Sequence, residues 1–204
     1  MSRLPALVAS LMLPLPLWAE TCPVAADLTT GGIAFDVNGI DIEIFRQKRP
    51  GLIESFYAYE GDPENGTRAM LAQGLYVLEL VDLENGDITP DSRGVYSFPV
   101  APSQLPLPDL ETSPGTEWTF TVAHNFSGDL GSETQVYTVM PKEEKSYGDC
   151  AYPMIPIQMR YTTDTGEEIE MLHFLPDLGI SYLASVAYDG GEDIYDYQTI
   201  RALK

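Results

Sequence analysis

Two histidines, His124 and His173, two cysteines, Cys22 and Cys150, and 31 acidic residues are the groups in this 204-residue chain best suited to do chemistry near neutral pH. A Ser-His-Asp triad would have to use one of the histidines, yet the sequence has no G-x-S-x-G elbow and no H-E-x-x-H pair. His173 shares strand parity with Ile169 and Met171, the spacing of a packed or rim histidine, and His124 ends the run from Trp118 beside Asn125. Neither displays the partners of a triad or a zinc site, so no catalytic residue is assigned. Paired carboxylates are the remaining catalytic option, but among 31 acids chance pairs are certain and position alone singles out none.

The cysteines lie in no C-x-x-C and beside no histidine, so the expectation is a Cys22–Cys150 disulfide formed in an oxidising compartment. Closing a loop of that length contributes about 4 to 5 kcal/mol by the chain-entropy argument. Acidic turns raise calcium: Asp82, Glu84, Asp87 and Asp91 surround Asn85-Gly86, and Asp189, Glu192 and Asp193 surround Gly190-Gly191. Their spacing matches neither an EF-hand nor a calcium β-roll, and turns favour Asp, Asn and Gly anyway, so solvated hairpin tips are expected, with no metal and no other cofactor.

These groups have to be carried by strands. Ile40, Ile42 and Ile44 alternate with Asp41 and Glu43; Trp118, Phe120 and Val122 with threonines; Ile155, Ile157, Met159 and Tyr161 with Gln158 and Arg160. Such period-two patterns predict half-buried strands. Further strands are expected over 52–60, 75–81, 134–140, 167–174, 180–188 and 194–201, with 67–74 either a helical turn or another strand. Asn38-Gly39, Asn65-Gly66, Asn85-Gly86, Thr165-Gly166 and Gly190-Gly191 supply the positive φ of tight hairpins, so sequential strands should pair antiparallel. The fold expected is all-β, an antiparallel meander of about nine to twelve strands making a curved sheet, half-barrel or barrel. Five prolines in 99–114 suit no strand or helix interior and make it either a linker between two halves or an extended connection across one sheet; the expected disulfide, tying the two flanks together, favours a single domain, 20–204.

Residues 1–19 read as a signal peptide: Arg3, an apolar run from Leu4 to Leu17 broken by prolines, and a small residue at Ala19. The run is too short and too proline-rich to span a membrane, no other segment is apolar enough to do so, and the residues before Cys22 are wrong for lipid attachment. The destination expected is outside the cytoplasm, in a bacterial periplasm. A net charge of −20 excludes nucleic acid and anionic membrane surfaces as partners, whereas 44% hydrophobic residues suffice for a core.

The last third carries a resemblance. Trp118 to Val122, Tyr137-Thr138-Val139 with Glu143 and Glu144, Cys150-Ala151-Tyr152 leading into Ile155 to Tyr161, and His173-Phe174-Leu175-Pro176-Asp177-Leu178-Gly179 before a terminal hairpin resemble a group of uncharacterised exported bacterial β-proteins. That group is distantly similar to the periplasmic lipoprotein-carrier superfamily, and the resemblance implies a half-barrel around an apolar cavity. Pro176 and Gly179 read as a structural turn, since Pro cannot donate a ladder bond and Gly accepts positive φ.

The function expected is therefore a non-catalytic, monomeric binding or envelope-associated protein. Its concave sheet would present Tyr57, Tyr59, Tyr182, Tyr188, Tyr195 and Tyr197 to an apolar ligand or a segment of an envelope protein, because tyrosine offers an apolar ring with a water-tolerant end. The competing reading of these tyrosines is mere cover for an exposed sheet face. The competing function is a carboxylate-dependent periplasmic hydrolase, which a pocket holding two acids of raised pKa would favour.

Overall fold

A computed structural model describes residues 21–163, 166–188 and 190–204. The expected leader 1–19, Thr165 and Asp189 lie outside the described residues. The strands are β1 Ile33–Val37, β2 Asp41–Arg49, β3 Leu52–Ala58, β4 Gly66–Ala72, β5 Tyr76–Glu84, β6 Asp87–Ile88, β7 Gly94–Ser97, β8 Glu117–Phe126, β9 Asp129–Val139, β10 Glu143–Tyr147, β11 Cys150–Thr163, β12 Gly166–Leu175, β13 Ile180–Tyr188, β14 Gly191–Ile194 and β15 Tyr197–Ala202. They form one all-β antiparallel sheet in the order β14-β13-β12-β11-β9-β8-β7-β5-β4-β3-β2-β1-β15, with β6 beside β5 and β10 beside β11. The sheet is curved and is not closed into a barrel.

Its two edges, β14 and β15, follow one another in the chain, so the sheet curls until residues 195 and 196 can bridge them. Tyr195 N donates to Ala184 O at 2.9 Å, and Asp196 exchanges bonds with Asn38, each 2.9 Å, at the β1–β2 turn. Across the curl, Ser181 donates from both N and Oγ to Gly74 O, at 2.7 and 2.8 Å, and Gly148 N donates to Gln198 O at 2.8 Å. A Cβ on Gly74 would stand 2.1 Å from Gly179 O, so this closure requires glycine there.

The strand at 66–72 settles the open choice at 67–74 in favour of a strand. Strands β1, β6, β7, β10 and β14 were not legible, being short or lacking a clean two-residue alternation. Asn38-Gly39 and Asn85-Gly86 adopt the positive φ pairs of tight hairpins. Asn65-Gly66 does not: Gly66 opens β4, and its Cβ would lie 2.0 Å from Tyr57 O, so glycine serves close approach there rather than turn geometry.

A further correction concerns β2. Ile40 precedes the strand and is 64% exposed, Ile42 and Ile44 are only half-buried, and Glu43 and Phe45 are the buried residues. The parity follows Phe45, which packs edge-on against Phe35 at 5.9 Å in the larger core cluster, and Glu43 is carried inward with it. Tyr147, Leu175, Ile180 and Tyr182 belong to that same cluster. A second cluster gathers Tyr76, Tyr137, Ile155, Ile157 and Phe174 with Leu105 from the Pro-rich connection. Gln73 fixes that connection by donating to Pro102 O at 2.9 Å and Leu105 O at 2.6 Å, and Tyr76 Oη donates to Pro106 O.

Cys22 and Cys150 are bonded, with Cα atoms 5.5 Å apart and a sequence separation of 128. Tyr152 Oη donates to Pro23 O at 2.7 Å beside this bond, and Leu28 sinks into the larger core cluster, so the N-terminal arm is pinned at three places.

Candidate functional site

Curling the sheet leaves a cavity of about 790 Å³ between the two core clusters, on the concave face. The apolar part of its wall comes from Leu71, Leu75, Val77, Met159 and Leu172, inward-facing positions of β4, the β4–β5 turn, β5, β11 and β12. Of the tyrosines expected on this face, Tyr57, Tyr59, Tyr182, Tyr195 and Tyr197 line the cavity. Tyr188 does not: it is exposed at the end of β13, where its hydroxyl lies 3.3 Å from Asp193. Tyr182 and Tyr197 are buried and stack on each other with centroids 3.7 Å apart, while Tyr57 packs edge-on to both Tyr59 and Tyr195, at 5.9 and 6.0 Å. Tyr96, Tyr137 and Tyr161 also line the cavity; Tyr161 does so on the face it was expected to share with Met159, whereas no sequence argument gave Tyr96 or Tyr137 a place in the site.

Carboxylates line the same wall. Glu43, 7% exposed, accepts from the hydroxyls of Ser55 and Tyr197. Burial pushes its carboxyl up to about 7 against the opposing pull of those two donors. Across the sheet, Glu133 is also 7% exposed and accepts from Gln135 Nε2 at 2.5 Å, while Tyr137 Oη donates to Gln135 Oε1 at 2.6 Å. Glu168 accepts from Tyr161 Oη at 2.6 Å. Glu170 lines the cavity, half-buried, and has no hydrogen-bond partner among the described residues. Its carboxyl is pushed up to about 7, first by burial and then by the charges of Glu168 and Glu133.

The two histidines are placed differently: only His124 reaches the cavity. His173 Nδ1 lies 3.0 Å from Tyr182 Oη, which in turn lies 2.7 Å from Tyr147 Oη, and burial, with the nearby Lys145 charge second, lowers its pKa to about 4. His124 lines the cavity near its lip, against Phe126 at 4.8 Å, and its Nδ1 is buried without a hydrogen-bond partner among the described residues. Pro176 and Gly179 lie in the β12–β13 turn; Gly179 has φ +68 and its N donates to Leu175 O at 2.9 Å. Among the described residues no group of three or more His, Cys, Asp or Glu is arranged to hold a metal ion, and no helix is long and apolar enough to cross a membrane.

Chemically, this wall can do two things. It can hold an apolar body against leucine, methionine and tyrosine rings, and it can accept hydrogen bonds or positive charge at its carboxylates. In the comparisons with known proteins, no protein-family model and no curated protein matches the chain. Among solved structures it is similar to the crystal structure of the hypothetical lipoprotein YmcC from Escherichia coli K12, with 12% identity over 89% of this chain and 88% of that one and a TM-score of 0.45.

Proposed function

We propose that this chain is a non-catalytic, exported binding protein, a monomer with a single β domain, that holds an apolar ligand inside its curled sheet. The cavity itself carries the reading: about 790 Å³ of space walled by leucines, Val77, Met159 and tyrosine rings is what a sheet leaves when it is shaped to enclose a small molecule. The disulfide joining the N-terminal arm to β11 suits an oxidising compartment, and the bacterial periplasm is the location we propose. The test uses the neutral, apolar fluorophore N-phenyl-1-naphthylamine. Saturable enhancement at one probe per chain, lost in Leu172→Trp, whose indole would occupy the cavity, is the expected result. Absence of any saturable binding to the folded protein would reject the reading.

A carboxylate-dependent hydrolase is the second reading, and it rests on one observation: Glu43 and Glu170 both have carboxyls displaced to about 7, where a general acid or base works best. Turnover of a panel of nitrophenyl esters and glycosides that disappears in Glu170→Gln would replace the binding reading with this one. We expect no turnover, since Glu43 is engaged by two hydroxyls and Glu170 is surrounded by like charge rather than by a nucleophile.

A further inference from the structure

The charge of the cavity wall is one-sided. Five carboxylates line it, Glu43, Asp129, Glu133, Glu168 and Glu170, and among the described residues no Lys or Arg does. Four of the five come from β9 and β12, and of these Glu133 and Glu168 stand close enough to act on the Glu170 charge. Glu133 and Glu168 each receive a donor from a neighbouring side chain, whereas Glu170, half-buried in the wall, receives none among the described residues. Its carboxylate opens onto the cavity, the side from which a donor or a cation can reach it. Around it the rings of Tyr137, Tyr161 and Tyr195 are near enough for Glu170 to raise the cost of ionising each of them.

From this juxtaposition we infer that the cavity selects an amphipathic organic cation, its ammonium group seated on Glu170 among the tyrosine rings and its hydrocarbon body on Leu75, Val77 and Leu172. The inference rests on the binding reading above and narrows its ligand. Ring faces attract a cation and a desolvated carboxylate attracts it more strongly, so both features of the wall favour the same charge. The same wall repels fatty acids, anionic phospholipids and other anions, for which it offers no cationic partner.

The test compares decyltrimethylammonium, decyl sulfate and the neutral decyl maltoside, each below its micelle concentration. Salt of about 0.3 M suppresses adsorption to the acidic outer surface. Trp118, the cross-strand neighbour of the cavity-lining Tyr137 and stacked on it with ring centroids 5.9 Å apart, reports occupancy by fluorescence. The cation should bind one per chain and about tenfold or more tighter than the maltoside, with no binding of the sulfate. Glu170→Gln should remove most of that preference and leave the maltoside affinity in place. Glu168→Gln, at an exposed position, tests the same charge set should Glu170→Gln fail to fold. Equal affinity for cation and maltoside, preference for the sulfate, or a preference unchanged in the folded variants would overturn the inference while leaving an apolar binding protein. Failure of all three probes to bind would overturn the inference and the binding reading together.

Discussion

Glu43 and Glu170 are costly residues, and their cost depends on pH. An ordinary carboxyl at 4.5 loses its proton on unfolding, whereas these two keep it up to about 7 in the folded chain. The folded state therefore holds protons that the unfolded state has released, so stability from these groups is full below about 4.5 and falls until about 7, by about 3 kcal/mol for each. His173 works in the other direction: neutral in the fold down to about 4 against an ordinary 6.5, it removes stability as pH falls between those values. Two carboxyls outweigh one histidine wherever their windows overlap, so melting temperature should peak at about pH 4 to 4.5 and drop by roughly 5 °C or more by about pH 8, and Glu43→Gln should flatten that decline. A melting temperature that rises steadily from acid to about pH 8 would contradict the burial of both carboxyls. The charges facing Glu170 are Glu168 on β12 and Glu133 on β9, with Tyr137 on β9, Tyr161 on β11, Tyr96 on β7 and Tyr195 after β14 as neutral neighbours. Cation binding should accordingly weaken as pH falls through about 7, as calorimetry at several pH values would show.

The turn between β12 and β13 separates two kinds of glycine requirement. Gly179 sits at φ +68, yet a Cβ there would meet nothing within 4 Å, so any cost of substitution is backbone strain alone. Gly179→Val should lower stability by about 1 to 3 kcal/mol, and Gly179→Asn by much less, because asparagine tolerates the left-handed region. Equal melting temperatures for wild type and the valine variant would show that the turn is not held at positive φ. Gly74, by contrast, both has φ +72 and meets the Gly179 carbonyl, so asparagine should not rescue it. Period-two alternation located the long strands because side-chain direction in a strand is local. It misassigned the inner face of β2, because choosing between Ile42 with Ile44 and Glu43 with Phe45 depends on what packs opposite: Tyr197 comes from the far end of the chain, and Phe35 from the neighbouring β1, a strand alternation did not reveal.

For the molecule as a whole, the Cys22–Cys150 bond restrains an arm whose other anchors are one buried leucine and the Tyr152 hydrogen bond. Reduction, or Cys22→Ser with Cys150→Ser, should lower stability by about 4 kcal/mol while leaving the circular dichroism that of a β-protein. Unchanged denaturant midpoints on reduction would show that the arm contributes nothing to the core.

The sequence by itself determined the all-β class and the antiparallel hairpins at Asn38-Gly39 and Asn85-Gly86. Both rest on alternation or turn chemistry, which act over a few residues. The bonded cysteines followed from chemistry of compartment rather than from spacing. Only the tertiary structure decided that five of the six chosen tyrosines share one cavity, that Tyr188 leaves it, and that Glu43, Glu133 and Glu170 join it. Those residues come from strands far apart in the chain, and which of them meet is set by the curl of the sheet. The curl depends on contacts such as Gly74 with Ser181 and Asn38 with Asp196, more than 100 residues apart and without any local signature.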